Sequence, residues 1–429
     1  MRNKILQRTL TDCLDNVIDY RGKTPKKLGL KWCIRGYRAI SANNVKFDGL
    51  DKIDSINCLD SDGYKKWMKE EVKKGDLLLT SEAPAGQVML WMSDEKIVLS
   101  QRLFALRTKP DVYNKYLKYY LQSNVGQFEI NKNTSGSTVF GISAKMFDFI
   151  KVNLPEYNSQ ISIGEFLYLI DHKIELNNRI NAELEAMAKT LYDYWFVQFD
   201  FPDATGKPYK TSGGKMVWNE ELKREVPEGW EDGCFGDYAK LKGGFAFKSS
   251  WWQDEGLPVI KIKDINEDYT LSVETCSYVG EDKYTIAKNY EAFLGDVVIA
   301  LTGATVGKYG IVTHSKKPIL INQRVGLFKL GEKPLNKLPY LINSLNQEYF
   351  RKTVFVLASG AAQPNISTDQ IDEIPLVIPQ KVILDNFNKI CSPFYEKILK
   401  NQIENQKLTE LRDWLLPMLM NGQVQVSAL

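Results

Sequence analysis

Few side chains in this sequence could carry chemistry of their own. Histidine occurs twice, at His172 and His314, and the six cysteines (Cys13, Cys33, Cys58, Cys234, Cys276, Cys391) lie far apart with no Cys-x-x-Cys pair. A tetrahedral zinc site or a histidine-based triad has almost nothing to draw on. The segment Thr302-Gly303-Ala304-Thr305-Val306-Gly307-Lys308 looks like a phosphate loop at first sight. A P-loop, however, needs four residues between its glycines and Ser or Thr after its lysine, whereas here three intervene and Tyr309 follows. It reads better as a small-residue loop joining two strands, with Lys308 available to a DNA phosphate. Pro202-Asp203 followed by Glu221-Leu222-Lys223 imitates a nuclease metal site, yet it falls in a Gly-rich acidic connector instead of on a sheet. Adenine methylation would call for an Asp/Asn-Pro-Pro-Tyr/Phe tetrapeptide and a glycine-rich cofactor loop after a strand, and neither is present. No catalytic residue and no metal site is predicted.

The polar groups point to binding instead. Lys and Arg number 56 against 53 Asp and Glu, a net charge of +3, but that average hides a segregation. Tyr20 to Phe47 contains no acid, while Arg21, Lys23, Lys26, Lys27, Lys31, Arg35, Arg38 and Lys46 are interleaved with Trp32, Tyr37 and Phe47. Val297 to Gly331 is also acid-free and carries Lys308, Lys316, Lys317, Arg324 and Lys329. Acids collect in the connecting parts, among them Asp200, Asp203, Glu220, Glu221, Glu225, Glu228, Glu231 and Asp232. A cationic face supplies affinity for phosphates, and nearby Arg, Gln, Asn, Ser and Thr read base edges. The candidate DNA contacts on this basis are Arg35, Arg38, Asn43, Ser81, Gln101, Arg102, Lys132, Ser137, Lys261, Lys263, Thr302, Lys308, Gln323, Arg324 and Gln363. Any one of these cations reads equally as a solvated surface charge, and the arginines of Gln101-Arg102 and Gln323-Arg324 could be buried at a sheet–helix junction. Glu82 would repel phosphate but could accept from a cytosine or adenine amino group.

The elements that must position these residues occur twice. Gly75-Asp76-Leu77-Leu78-Leu79 returns as Gly295-Asp296-Val297-Val298-Ile299, 220 residues later. Ser100-Gln101-Arg102 matches Asn322-Gln323-Arg324, and Ser135-Gly136…Ile142-Ser143 matches Ser359-Gly360…Ile366-Ser367. A period of half the chain is a duplicated domain, not a solenoid. The first part of each copy is β-rich, with short apolar runs broken by Gly, Lys and Pro. The last part is helical: Ile163, Ile170, Asn177, Leu184, Leu191 and Leu167, Ile174, Asn181, Ala188, Trp195 form two seams of a heptad. At the same offset, Ile383, Ile390, Lys397, Glu404, Leu411 and Phe387, Phe394, Asn401, Leu408, Leu415 form the other pair. Two such helices are expected to pack as a coiled coil. The seams are polar in the middle, either as a layer that fixes register or because the phase drifts and Ile180, Ile398 and Ile403 take over. Phe201 to Trp230, rich in Gly, Pro and acids, reads as an extended linker. No apolar run approaches 18 residues and the N-terminus has no apolar leader, so a reduced, cytoplasmic protein without a membrane span is expected.

Two globular copies, each followed by a long helix, resemble the specificity subunit of type I restriction-modification systems. The resemblance is carried by Met187-Ala-Lys-Thr-Leu-Tyr-Asp-Tyr-Trp-Phe-Val-Gln-Phe-Asp-Phe-Pro202, Pro227-Glu-Gly-Trp230, Leu411-Arg-Asp-Trp-Leu-Leu-Pro417, Leu301 to Lys308, Asn322-Gln-Arg324 and Gln363-Pro-Asn-Ile-Ser367. The first copy departs from it: it has no Pro-Glu-Gly-Trp, and its loop reads Ser81-Glu-Ala-Pro-Ala-Gly86. The resemblance implies an α+β protein with two target recognition domains (1–158 and 228–380), spacer helices over 159–200 and 381–429, and a linker over 201–227. The helices would form an antiparallel coiled coil with pseudo-twofold symmetry. It implies a noncatalytic subunit whose domains each read half of a bipartite DNA target, while the helices set the gap and dock two methylation subunits. Those subunits would bring S-adenosylmethionine, and restriction subunits would bring ATP- and Mg-dependent cleavage. Tyr194, Trp195, Phe196, Trp414 and Leu415, at the helix ends, are the expected partner contacts, unless they pack within the chain. Two other readings compete: a coiled-coil scaffold binding proteins without regard to DNA sequence, and a nuclease using the connector acids.

Overall fold

The computed structural model describes residues 5–136, 140–273, 275–313, 315–359 and 364–426. The chain divides into two compact units, residues 1–175 with 407–429 and residues 176–406.

In the first unit, a four-stranded antiparallel sheet runs in the order Leu14–Asp19, Leu103–Thr108, Leu77–Thr80, Val88–Leu90. Beside it, Tyr37–Ile40 pairs antiparallel with Cys58–Leu59 and parallel with Val98–Leu99. The recurring Gly-Asp has a local cause. Gly75 turns the chain at φ 94°, a left-handed value that favours glycine, and the buried Asp76 carboxylate then accepts the Lys73 amide at 2.8 Å. The next residues, Leu77, Leu78 and Leu79, are fully buried, as the central strand of a covered sheet requires. Two helices, Asn114–Gln122 and Asn124–Lys132, close the core, and Leu6–Thr9 pairs with Lys151–Leu154 at the foot of the first long helix, Tyr157–Tyr192. That helix lies close to Asn114–Gln122 because Gly164 permits it: a Cβ there would sit 2.8 Å from the Tyr116 nitrogen. Ile163 and Leu167 join the core with Leu416, Leu419 and Met420 from the second long helix, Lys381–Met420.

The second unit repeats the plan. Its four-stranded sheet runs Leu241–Gly243, Val325–Phe328, Val297–Ala300, Tyr309–Ile311, the same order of first, last and two central strands. Gly295 turns at φ 87° and Asp296 accepts the Phe293 amide at 2.9 Å. The companion sheet is larger, with five strands in the order Trp252–Gln253, Ser277–Val279, Leu257–Ile260, Ile319–Ile321, Glu291–Ala292.

The polar middle of the helical seams is a true layer. Asn177, Asn181 and Asn401 are buried, Asn401 donates to Asn181 at 2.8 Å, and Asn177 donates to Glu404 and Asn405 at 2.8 Å each. These pairings run antiparallel, and so does Arg412 against Asp171 in the first unit, at 2.9 Å. Asn181 and Asn401 are themselves repeat equivalents, 220 residues apart. One expected seam is rotated outward: Ile390, Lys397 and Leu411 are exposed, and Cys391, Ile398 and Leu399 are buried instead. The second helix packs against the globular core of its unit as well as against the first helix, so its apolar stripe is wider than a coiled-coil seam. The stretch expected to be an extended linker is folded. Met216–Asn219 and Arg224–Pro227 form a hairpin, and Phe201 stacks on Tyr209 and Trp230 with centroids 4.7 and 5.1 Å apart. No helix among the described residues is long and apolar enough to cross a membrane.

Candidate nucleic-acid interface

Three backbone hydrogen bonds are made twice, once in each unit. In the second unit the Asn322 amide donates to Ile260, the Leu301 amide to Arg324 and the Ile366 amide to Leu301, at 3.0, 3.0 and 2.9 Å. In the first, Ser100 donates to Ile40, Ser81 to Arg102 and Ile142 to Ser81, each at 2.8 Å. These bonds tie the ends of three sheet strands to the turn carrying Gln-Arg and to the segment before the long helix. In each unit the Gln-Arg pair therefore occupies the tip of a turn, and Gln101, Arg102, Gln323 and Arg324 are all exposed. They are not buried at a sheet–helix junction. Arg102 holds a left-handed φ of 59° and lies 3.5 Å from Glu82, whereas Arg324 forms no ion pair among the described residues.

Next to Leu301 and Ile260, which bond the second turn, stand Thr302 and Lys261, with Lys263 two residues further along the chain. The Thr302 backbone bridges to Asn365, and the Gly303 amide donates to Pro364 at 2.9 Å, which closes the loop against the next segment. Lys263 is exposed. Lys261 is half-buried, donates to Ser277 Oγ at 2.8 Å and lies 3.6 Å over the Trp252 ring; burial, helped by neighbouring Lys263, pulls its ionisation down. Around the first turn lies exposed Asn43, held by the Ala42 amide donating to Gln101 at 3.2 Å. Lys132, at the end of its helix, pairs with Glu129 at 2.8 Å.

Several expectations need correction. Ser81 is buried because the strand it ends is covered on both faces, so its side chain is not a surface contact. Thr302 is only partly exposed and its hydroxyl oxygen is buried; neither hydroxyl finds a hydrogen-bond partner among the described residues. Lys308 is neutralised by Glu267 at 2.7 Å. Arg38 is held by both carboxylate oxygens of Glu95, a bidentate bond that raises its basicity further. Arg38 and exposed Arg35 also sit at the start of the strand Tyr37–Ile40, whereas the Gln101 turn meets its end, about 7 Å away for Arg38 at roughly 3.3 Å per residue. Ser137 and Gln363 lie outside the described residues. Among the partner contacts, Trp195 and Phe196 are buried, packed with Phe387, Tyr340 and Trp230 inside the second unit's core. Leu415 is partly buried against the first unit's core. Only Tyr194 and Trp414 of that group are exposed, at 37% and 59%. Asn365, absent from the expected contacts, is exposed beside Thr302; its signal in the sequence is the repeated segment it shares with Ser135 to Ile142. No cluster of three or more metal-ligating side chains occurs among the described residues.

The comparisons with known proteins agree with this duplicated plan. The family described as "Type I restriction modification DNA specificity domain" matches residues 16–186 and 227–411, once for each repeat. The MjaIX type I restriction enzyme specificity subunit of Methanocaldococcus jannaschii is 26% identical, over 83% of this chain and 79% of its own. The HindI specificity subunit of Haemophilus influenzae is 25% identical, over 83% and 88%. The crystal structure of a type I restriction-modification S subunit from M. genitalium superposes with a TM-score of 0.58 at 17% identity, over 97% of this chain and 96% of that one. With the family matched twice, over well more than half of its length, this chain belongs to the type I restriction-modification DNA specificity family.

Proposed function

We propose that this chain is the DNA-recognition subunit of a type I restriction-modification complex and carries no chemistry of its own. Each unit reads one half of a bipartite target in double-stranded DNA through its Gln-Arg turn and the loops tied to it, and the long helices set the gap. The observation that carries this reading is the repeated hydrogen-bond frame, which presents Gln101-Arg102 and Gln323-Arg324 in the same way in both units. Arginine and glutamine are suited to this work because both bond two acceptors or a donor–acceptor pair on one base edge. Two methylation subunits dock on exposed positions such as Tyr194 and Trp414 and bring S-adenosylmethionine for adenine methylation. Restriction subunits bring ATP, Mg and cleavage, and the complex works in the cytoplasm. A scaffold indifferent to DNA sequence finds no support in the family match.

The test is binding by the assembled methylation complex to duplexes of cognate and scrambled sequence. Affinity for the cognate site should exceed the other by at least 10³-fold and fall steeply with salt. Equal binding to both would remove the reading.

A further inference from the structure

The second unit holds a guanidinium without a carboxylate. Arg224, on the hairpin that precedes the second repeat, is partly buried and makes no ion pair or side-chain hydrogen bond among the described residues; its charge lies 5.2 Å over the Phe199 ring. It lines a cavity of about 280 Å³ whose floor is Tyr192, Tyr340 and Ser344. The floor is already satisfied: Tyr340 donates to the Val377 carbonyl, and the Tyr192 and Ser344 hydroxyls bond each other at 3.1 Å. Those groups therefore leave the five N–H donors of Arg224 unused. Burial lowers the basicity of this arginine, in keeping with a charge that lacks its counter-ion. Glu221, also on the cavity wall, is exposed and forms no ion pair with Arg224. Two exposed apolar side chains, Val197 at 45% and Tyr349 at 54%, line the cavity.

A buried-floor pocket with one unpaired cation, rimmed by exposed apolar groups, has the make-up of an interface anchor site, where a rim excludes water around one strong contact. We infer that the Arg224 cavity receives an acidic side chain from a partner protein, and that this partner is the methylation subunit. The second half of the inference rests on the function proposed above. A protein fits better than DNA, because Glu220, Glu221 and Glu225 on the same hairpin would repel a row of phosphates, whereas one inserted carboxylate meets Arg224 first. Buried Tyr192 and Phe196 line this site from beneath, while Tyr194, on the same helix end, stays exposed to the partner.

The experiment measures association of the full chain with the methylation subunit by titration calorimetry, for the wild type, Arg224→Ala, Arg224→Lys and Glu221→Gln. Arg224→Ala should weaken binding at least tenfold and Arg224→Lys less, because lysine keeps the charge but not the fork. Glu221→Gln should tighten binding two- to fivefold, since it removes a competing carboxylate; a merely structural role for Arg224 would not produce that gain. Thermal midpoints of Arg224→Lys and Glu221→Gln within about 2 °C of the wild type establish that both are folded. Binding by Arg224→Ala within twofold of the wild type would overturn the inference. So would a loss of DNA affinity with subunit association intact, which would make a phosphate the occupant. If the wild type failed to bind the methylation subunit at all, the proposed function itself would fall, and this site with it.

Discussion

The two units solve one packing problem with opposite chemistry. At the helix end of the first, Asp171 accepts from Lys118, Tyr119 and Arg412 at 2.8, 2.6 and 2.9 Å, a charged cluster in which Lys118 is only 7% and Arg412 16% exposed. Two hundred and twenty residues away in sequence, Asp171 corresponds to Cys391 and Arg412 to Tyr192. There the same place is filled by Tyr192, Tyr340 and Phe387, packed ring against ring, and by Cys391 of the same core. The Gly-Asp turns differ in the same sense. Asp76 is paired with Arg107 at 2.8 Å, while Asp296 has only backbone donors among the described residues, and Lys329, the counterpart of Arg107, lies over the Phe293 ring. A duplicated fold thus keeps its backbone frame while its buried polar groups diverge. Paired buried charges are costly to break, whereas an apolar core loses stability in proportion to the volume removed.

That contrast can be broken most sharply at Asp171. Asp171→Ala leaves buried Lys118 without its carboxylate and Arg412 with Asp413 alone, and should cost about 3–5 kcal/mol, whereas Cys391→Ala, its counterpart, should cost about 1–2. Urea unfolding followed by hydrogen exchange resolved by unit would separate the two. Acid should act on the units in opposite directions. Burial alone would raise the Asp171 carboxyl, but Lys118, Tyr119 and Arg412 outweigh it and hold it below the usual range. Its contribution is present above the unfolded value of about 3.9 and is lost as pH falls through the depressed folded value. Asp264, Asp296 and Asp372 of the second unit are pushed up by burial, so they oppose folding at neutral pH and relent as pH falls through their raised values. Below about pH 4 the first unit should therefore lose amide protection first; simultaneous loss would blunt the comparison.

Two smaller effects sharpen it. Arg324→Ala should cost about 1–3 kcal/mol of discrimination in one half of the DNA target and leave the other half unchanged, and Arg102→Ala should do the converse. Base-by-base competition assays on the assembled complex would show which half relaxes. In the layer common to both repeats, Asn181→Leu with Asn401→Leu should change stability by about 1 kcal/mol or less, seen as a thermal midpoint unchanged or slightly raised. Asn401→Leu alone should cost about 1–2, because it leaves the Asn181 amide buried with its partner removed.

The duplication, the sheet-then-helix order and the two long helices were legible from spacing alone, because a turn that needs left-handed glycine and a carboxylate cap leaves the same Gly-Asp in both copies. The neutralisation of the basic stretches was not. Acid-free runs in sequence are not acid-free in space: Glu95 reaches Arg38 from 57 residues away and Glu267 reaches Lys308 from 41. The connector looked extended because Gly, Pro and acids dominate its composition, yet Phe201, Tyr209 and Trp230 are enough to fold it onto the core. Trp195 and Phe196 read as either helix-end packing or partner contacts, and the core of the second unit, which reaches over that end, makes them packing.

The central claim is that two similarly built units each read their own half of one split DNA target. Mapping methylated adenines across the genome of cells carrying this chain with its partner subunits tests it most directly. The account predicts a bipartite motif with a fixed gap, in which exchanging only residues 228–380 for those of another family member changes one half and leaves the other intact. A continuous motif, or a change in both halves after that exchange, would contradict it.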